Sequence, residues 1–361
     1  MSSSRDNPFD DDHLLEVAAA VDEQLRHYFD GKKPSYQRHV SHTHMWENLE
    51  QVVIAGGKRL RPYLLVLAYE TGGRTFDDSV IQVASGWEML HQCMLIHDDI
   101  IDRDILRHGQ PNISGRYRVN YELHDLSDED RAHFADSAAL IAGDLALSAA
   151  YELILESPFD PPKKLAACQV LSDAIHAVAL GELHDTEASF SAIDSQETVL
   201  IAEMKTASYS FIGPLMCGAL LADMDEAGLA SIAAFGRALG IAYQLKDDWL
   251  GLFGETTTIG KSNTSDITEG KRTSFVEYAL LHVSPQESRR LQSILGNPDA
   301  SAKDFATFRS LIESSGARAH VEGLIKEYTT EAKARLRSYG HPGPAVDRLL
   351  LLSDNLIERR F

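Results

Sequence analysis

Apolar residues return at three- and four-residue intervals along almost the whole chain, the spacing of helices that each bury one face. The first such run covers 13–29 and is expected to stop before Gly31 and Pro34, because glycine and proline both end helices readily. Further helices are predicted over 45–55, 60–71, 79–104, 132–157, 163–191, 195–221, 225–252, 274–283, 286–296, 302–315, 317–339 and 344–359. Strict apolar–polar alternation, the mark of a half-buried strand, is nearly absent. Breaks are expected at Gly72-Gly73, at Gly109-Gln110-Pro111-Asn112, at Ser157-Pro158 with Pro161-Pro162, and across Gly254 to Gly270. The pattern predicts an all-α protein in one domain over 1–361, with 1–12 as a flexible N-terminal tail. The longest irregular stretch, 252–272, carries Lys261, Asp266 and Lys271 and is expected to act as an active-site lid.

Composition narrows the class. Of 361 residues, 44% are hydrophobic and 24% charged, the balance of a globular protein that can bury a substantial core. No apolar run is read as reaching the ~20 residues of a membrane span. The start, Met1-Ser2-Ser3-Ser4-Arg5-Asp6, lacks the apolar segment of a signal peptide, so a cytoplasmic location is expected. Cys93, Cys168 and Cys217 are widely spaced among apolar neighbours, as reduced core thiols are. Lys and Arg total 34 against 54 for Asp and Glu, and the net charge of −20 opposes any general affinity for nucleic acid. Local basic clusters therefore need local explanations.

Two aspartate pairs interrupt apolar helical stretches: Asp98-Asp99-Ile100-Ile101-Asp102 and Asp247-Asp248-Trp249-Leu250-Gly251. Asp98 and Asp102 fall one turn apart on one side of a helix, so their oxygens can converge on a hard divalent cation, with Asp247 as an opposing wall. In the second pair Gly251 occupies the position where another carboxylate on the same face would stand, so that half should have fewer ligands; Gln244 shares the face of Asp247. Metal-bound carboxylates with basic residues elsewhere describe a site for Mg²⁺ and a polyphosphate.

The turn Ala55-Gly56-Gly57-Lys58-Arg59-Leu60-Arg61-Pro62 reads as an anion cradle, with Lys58, Arg59 and Arg61 facing the anion, although a solvated basic helix connection has the same composition. Lys205-Thr206 with Tyr209 lies on an apolar background, and a buried lysine needs an anionic partner. Asp144, after Gly143, suits a helix cap as well as a site residue. His91 and His97 have no His or Cys partner at a zinc-like spacing, so hydrogen bonding is expected of them; His42 and His44, in a polar connection, are read as structural.

Taken in order, Gly-Gly-Lys-Arg-Leu-Arg-Pro, Asp-Asp-x-x-Asp followed by Arg107, Lys205-Thr206, Gln244-x-x-Asp247-Asp248, and Lys261 with Lys271 make the chain resemble the trans-prenyltransferases, the head-to-tail isoprenyl diphosphate synthases, over roughly 40 to 285. The resemblance implies an isoprenoid synthase fold of antiparallel helices around a deep cavity, usually a homodimer, using Mg²⁺. It further implies that Asp98, Asp102 and Asp247 hold the metal on the allylic diphosphate, that Arg107, Lys205 and Lys261 clamp that group, and that Lys271 also binds substrate. Lys58, Arg61 and His91 match the pocket for isopentenyl diphosphate. Thr206 and Gln244 match positions that steady the allylic cation and assist proton loss.

Two positions depart from the family pattern. His108 stands where a second arginine is usual, and a neutral imidazole cannot fork onto a phosphate as guanidinium does, so isopentenyl diphosphate binding is expected to be weaker or pH-dependent. Gly251 replaces the last aspartate of the second motif, as in bacterial relatives. The resemblance also implies that the residues five and four before the first aspartate, Cys93 and Met94, form the early floor of the product cavity. Neither carries the aromatic ring associated with fifteen-carbon products, which favours a C20 product, geranylgeranyl diphosphate. Trp87, about two turns deeper, suits either a deeper floor or plain core. A farnesyl or longer polyprenyl diphosphate synthase, a class I terpene cyclase, or a non-catalytic partner subunit of a synthase are the alternatives. The basic Gly-Gly-Lys-Arg loop argues against the cyclase, and the intact Asp98, Asp99, Asp102 and Asp247 argue against the inactive subunit.

Overall fold

The computed structural model describes residues 11–107, 109–120, 126–191, 194–254, 265–339 and 342–358. The expected all-α class is borne out. Helices α1 (Asp12–Tyr36), α2 (Val40–Ile54), α3 (Leu60–Thr71), α4 (Asp78–Ile101), α5 (Ile113–Asn120), α6 (Asp128–Leu155), α7 (Pro161–Ala188), α8 (Ser195–Ile201), α9 (Gly213–Leu221) and α10 (Glu226–Phe253) are followed by shorter helices and two longer ones, Ala317–Ser338 and Pro344–Glu358. Between α8 and α9 the helix continues as a π-helical stretch, Ala202–Ile212. The strands found among the described residues are two-residue pieces, β1 (Leu106–Arg107) and β2 (Gln110–Pro111), paired antiparallel.

Contacts along the chain fall into two compact units, one of Met1–Leu171 with Cys217–Asp223, the other of Ser172–Met216 with Met224–Phe361. In the first, α4 packs on α6, whose Ala135, Ala139, Ala142, Gly143, Ala146 and Ala150 are all buried. The small residues permit a close approach: a Cβ at Gly86 of α4 would come within 2.8 Å of the Ala150 carbonyl oxygen. Trp87, Tyr63 and Phe29 fill the remainder of that core. The second unit is built on α10, against which Ala317–Ser338 and the π-helical stretch lie, around Phe275, Phe308, Ile241 and Ile267.

Local capping explains many boundaries. Asp77 accepts from the N–H groups of Ser79 and Val80 at the start of α4, Ser127 from Asp130 at α6, and Asp225 from Gly228 at α10. Asp194 and Glu197 form a reciprocal capping box at α8.

Several boundaries differ from the sequence expectation. Helix α1 does not stop before Gly31 but runs through Pro34, because Tyr36 stacks on Trp46 at 4.3 Å and Lys33 pairs with Asp30 and Glu50. A proline in a last turn removes only one hydrogen bond, and tertiary contact outweighs that loss. Helix α2 begins at Val40, so His42 and His44 are helical rather than in a connection; His39 caps it by accepting from the Ser41 N–H. Pro161 and Pro162, read as a break, open α7, where missing N–H groups cost nothing. Helix α5 and the short helix Ser265–Glu269 were not expected, being too brief for periodicity to register. Helix α6 is long and apolar enough by composition to cross a membrane, contrary to the expectation of no such run, but half of its apolar window is buried inside the protein. Of the expected tail and lid, residues 1–10 and 255–264 lie outside the described residues.

Candidate active site

In the first unit the site is built at the end of α4. The Asp102 N–H donates to the Asp98 carbonyl at 2.8 Å, which confirms the one-turn spacing of these two carboxylates. The chain then reverses through Arg103, at φ 59°, and through Gly109, at φ 73° in the β1–β2 turn, a conformation that glycine adopts freely. The reversal returns Arg107 onto the motif. Its Nη2 and Nε donate to Asp99 Oδ1 at 2.6 and 3.0 Å, and Nη2 lies 3.7 Å from Asp98 Oδ2. Asp99 is buried while Asp98 and Asp102 are half-buried. Burial raises the Asp99 carboxyl pKa, and the Arg107 guanidinium opposes that rise without cancelling it. The middle aspartate thus anchors the arginine, and the outer two retain contact with solvent.

The basic turn divides in the same way. Lys58 is exposed and Arg61 half-buried in the first turn of α3. Arg59, expected to face an anion, is turned inward instead: at φ 46° and 2% exposure it donates to Asp22 at 2.8 Å, to Glu88 at 2.7 Å and to the Val53 carbonyl at 2.8 Å. Three acceptors matched to one planar fork outweigh the loss of solvent contact. His91 of α4 is held neutral by burial, aided by the guanidinium groups of Arg61, Arg107 and Arg59 nearby, so its pKa lies well below the usual imidazole value.

Behind the first motif, His97 sits in a notch on α6. A Cβ at Gly143 would meet His97 Nε2 at 2.1 Å, and that nitrogen lies 3.3 Å from the Leu140 carbonyl oxygen. His97 is therefore a hydrogen-bonding residue, as expected. Asp144 is neither a cap nor enclosed; it lies mid-helix on α6 with its side chain 71% exposed. Cys93 is buried, with its thiol pushed up to about 12 mainly by burial, and Met94 is half-buried. Trp87 has no exposed surface, and its indole lies beside the Cys217 thiol.

The second unit carries the second acidic motif. Lys205 and Thr206 lie in the π-helical stretch, a geometry that widens the turn and recurs at functional sites. Lys205 finds its anions on α7: Nζ is 2.8 Å from Glu182 and 2.8 Å from Asp185. A Cβ at Gly181 would come within 2.6 Å of the Lys205 backbone nitrogen, so this glycine lets α7 approach closely enough for those pairs. The Thr206 hydroxyl donates to Gln244 Oε1 at 2.5 Å, and Gln244 Nε2 donates to Asp248 Oδ1 at 2.8 Å. Gln244 therefore serves Asp248 one turn on, while Asp247 beside it is half-buried. Lys271 Nζ lies 3.3 Å from Asp248. Burial lowers the lysine pKa, but Asp248, Asp266 and Asp185 together hold it well above the usual value. Asp185 shows the reciprocal balance: burial raises it, and the ammonium groups of Lys205 and Lys271 hold it lower.

Glu182 and Asp185 were not singled out from the sequence, and Asp266 was named there only as one of the charges of the expected lid. The first two had a readable signal, two carboxylates three residues apart on one helix face directly after a glycine. Asp266 had none, since only packing brings it to Gly251. His108 and Lys261 lie outside the described residues.

As donors to a metal, Asp98, Asp102 and Asp247 offer carboxylate oxygen only, which fits a hard cation. Among the described residues no group of three or more His, Cys, Asp or Glu side chains converges as a ready-made cage. Such a set suits Mg²⁺, which keeps several waters and takes further oxygens from phosphate.

Residues 42–312 match the model of the polyprenyl synthetase family. The chain belongs to that family. Like other polyprenyl synthetases, it is a trans-prenyltransferase, an isoprenyl diphosphate synthase. It is similar to a geranylgeranyl diphosphate synthase of Methanosarcina mazei, 30% identical over 312 residues that cover 86% of this chain and 88% of the relative. A (2E,6E)-farnesyl diphosphate synthase of Mycobacterium tuberculosis is also 30% identical, over 84% of this chain and 80% of that one. The fold is that of the solved geranylgeranyl pyrophosphate synthase of Corynebacterium glutamicum, complexed with isoprenyl diphosphate and magnesium, at a TM-score of 0.90 and 27% identity over 96% of this chain and 99% of the other. The isoprenoid synthase fold expected from the motifs is thereby borne out.

Proposed function

We propose that this polyprenyl synthetase condenses isopentenyl diphosphate head-to-tail with an allylic diphosphate to give mainly geranylgeranyl diphosphate, in a reaction that needs Mg²⁺. The observation that carries the reading is the split within the first motif, where Asp99 is spent on Arg107 while Asp98 and Asp102, one turn apart, retain solvent contact. In this reading Asp98, Asp102 and Asp247 hold Mg²⁺ on the allylic diphosphate. Bound there, the metal neutralises charge on the departing pyrophosphate. Arg107, Lys205, Lys261 and Lys271 add cations to the same group, and Lys58, Arg61 and His91 receive isopentenyl diphosphate. Arg107 and Lys205 are pre-positioned by their carboxylate partners, which lowers the cost of ordering them around a ligand. Thr206 and Gln244, already bonded to one another, present fixed dipoles toward the developing allylic cation.

Product length is assigned to the floor residues. Cys93 and Met94 carry no ring, and relatives named for C20 products support the same choice. Trp87 is proposed as the next floor down. Substituting Met94→Phe is expected to move the main product from C20 to C15, and Trp87→Ala to lengthen it. Removing so large a buried side chain also costs about 3–5 kcal/mol of stability. A cytoplasmic homodimer is proposed as the working form, with Leu140 and Ile141 on α6, each 53% exposed, as an apolar contact face. Sedimentation of the wild type against Ile141→Lys tests that face; a dimer unaffected by the lysine would exclude it.

The decisive assay combines purified protein, Mg²⁺, isopentenyl diphosphate and each of the C5, C10 and C15 allylic diphosphates, with chromatographic sizing of the products. Elongation to C20 is expected. Elongation that stops at C15 would favour the farnesyl reading, and cyclisation without isopentenyl incorporation would overturn the proposal.

A further inference from the structure

The basic turn ahead of α3 holds two cations that keep contact with solvent, Lys58 and Arg61, and one that is buried, Arg59. Arg59 takes a left-handed backbone, φ 46°, at the N-cap of α3, where its side chain makes no capping bond. A turn that needs only this conformation is served best by glycine, as at Gly56 three residues earlier, φ 97°. Arginine at such a position strains the backbone, and what its side chain binds must offset that strain. The guanidinium joins three helices: Nε donates to Asp22 of α1 at 2.8 Å, Nη2 to the Val53 carbonyl in the last turn of α2 at 2.8 Å, and Nη1 to Glu88 of α4 at 2.7 Å. We propose that Arg59 is a positioning residue for isopentenyl diphosphate, setting through Glu88 the distance between the Lys58–Arg61 turn and His91.

Glu88 is placed to carry that link. It is buried and stands three residues before His91 on α4, the spacing that puts both on one side of a helix. Its Oε1 accepts from Arg59 and also, at 3.0 Å, from the Gln92 amide one turn on, so the carboxylate is held between two donors. On the other side of the link, the Arg59 carbonyl accepts from the Tyr63 N–H at 3.0 Å, a bond that opens α3. The residue that grips α4 therefore also starts the helix that bears Arg61. Asp22 and the Val53 carbonyl keep the planar fork from turning, and a fork fixed at three points fixes the turn around it. The Arg59 charge reaches His91 as well, where burial first, then Arg61 and Arg107, and then Arg59 keep the imidazole neutral. Lysine at this position would keep the charge but could not match three acceptors at set angles. Glu88 lies ten residues before Asp98, roughly 15 Å along the helix, so a change confined to this link should spare the allylic end.

The inference rests on the reading of Lys58, Arg61 and His91 as the receivers of isopentenyl diphosphate, and the test separates the two. Steady-state kinetics of the full chain with Mg²⁺, varying isopentenyl diphosphate at saturating allylic diphosphate and then the reverse, give kcat and both KM values, with thermal melts run alongside. Arg59→Lys and Glu88→Gln are each expected to raise the KM for isopentenyl diphosphate about tenfold to a hundredfold, the scale of a misplaced binding group, while kcat and the allylic KM stay within about twofold. The double variant should be little worse than the weaker single one, because both cut the same link. Should Arg59→Lys not fold, Glu88→Gln decides the matter alone. A rise in both KM values together with a fall in kcat and in melting temperature would mark Arg59 as a general structural tie and overturn the inference. An unchanged isopentenyl KM in Arg59→Lys and Glu88→Gln, beside a raised one in Arg61→Gln, would also overturn it and leave the pocket reading intact. If Arg61→Gln itself leaves that KM unchanged, the pocket reading fails and this inference falls with it.

Discussion

The two acidic motifs are assembled by opposite routes. The first is local: Asp98, Asp99, Asp102 and Arg107 lie within ten residues, and one helix end with a tight hairpin suffices to assemble them. The second is dispersed, drawing Glu182 and Asp185 from α7, Lys205 and Thr206 from the π-helical stretch, Gln244, Asp247 and Asp248 from α10, and Asp266 and Lys271 from the segment that follows. Each uses a glycine as a socket for a side chain from elsewhere, Gly143 for His97 and Gly251 for Asp266. The difference teaches that a local cluster is robust to changes in distant packing, whereas a dispersed one depends on several elements remaining in register.

The largest expected effect tests the anchor of the local half. Arg107→Ala leaves Asp99 buried without its cation and should cost about 3–5 kcal/mol in a urea melt, as breaking a buried pair does. A loss below 1 kcal/mol would show that the hairpin does not depend on this pair. Next, Asp98→Asn and Asp247→Asn should each lower kcat/KM by roughly 10²–10³-fold, the scale of removing one transition-state contact. Equal losses make the halves partners; a loss confined to one would break the symmetry. Gly143→Ala fills the socket of His97 and should cost about 1–3 kcal/mol through overpacking. Thermal melts check it, and an unchanged melting temperature would mean that the imidazole simply moves aside.

The smallest effect is a pH dependence in the dispersed half. Asp185 has a folded-state pKa below its ordinary 3.8, so its contribution to stability is present above pH ~4 and is lost as pH falls through the lowered native value. Wild type and Asp185→Asn should therefore differ in urea stability at pH 6 and converge as the pH falls through that lowered value. A gap that persists at low pH would place the effect of Asp185 in packing rather than charge.

This contrast also explains what could be read from the chain alone. Asp98 and Asp102 were legible because their geometry follows from helical spacing, and Arg107 because it follows them in the motif that the chain resembles. The long helices were legible from their apolar stripes. Helix α5 was not, because eight residues with few apolar positions give no periodicity to detect. The inward turn of Arg59 depended on Asp22 and Glu88, which lie on two other helices. Asp266 likewise comes to Gly251 only through packing, which leaves no pattern in sequence.

The account stands on the claim that both acidic motifs grip one diphosphate. A crystal structure of the enzyme with Mg²⁺ and an unreactive allylic thiodiphosphate tests this directly. The account predicts oxygens of Asp98, Asp102 and Asp247 on metal ions that share that single diphosphate. A thiodiphosphate held by the first motif alone, with Asp247 bound to no ion, would contradict it.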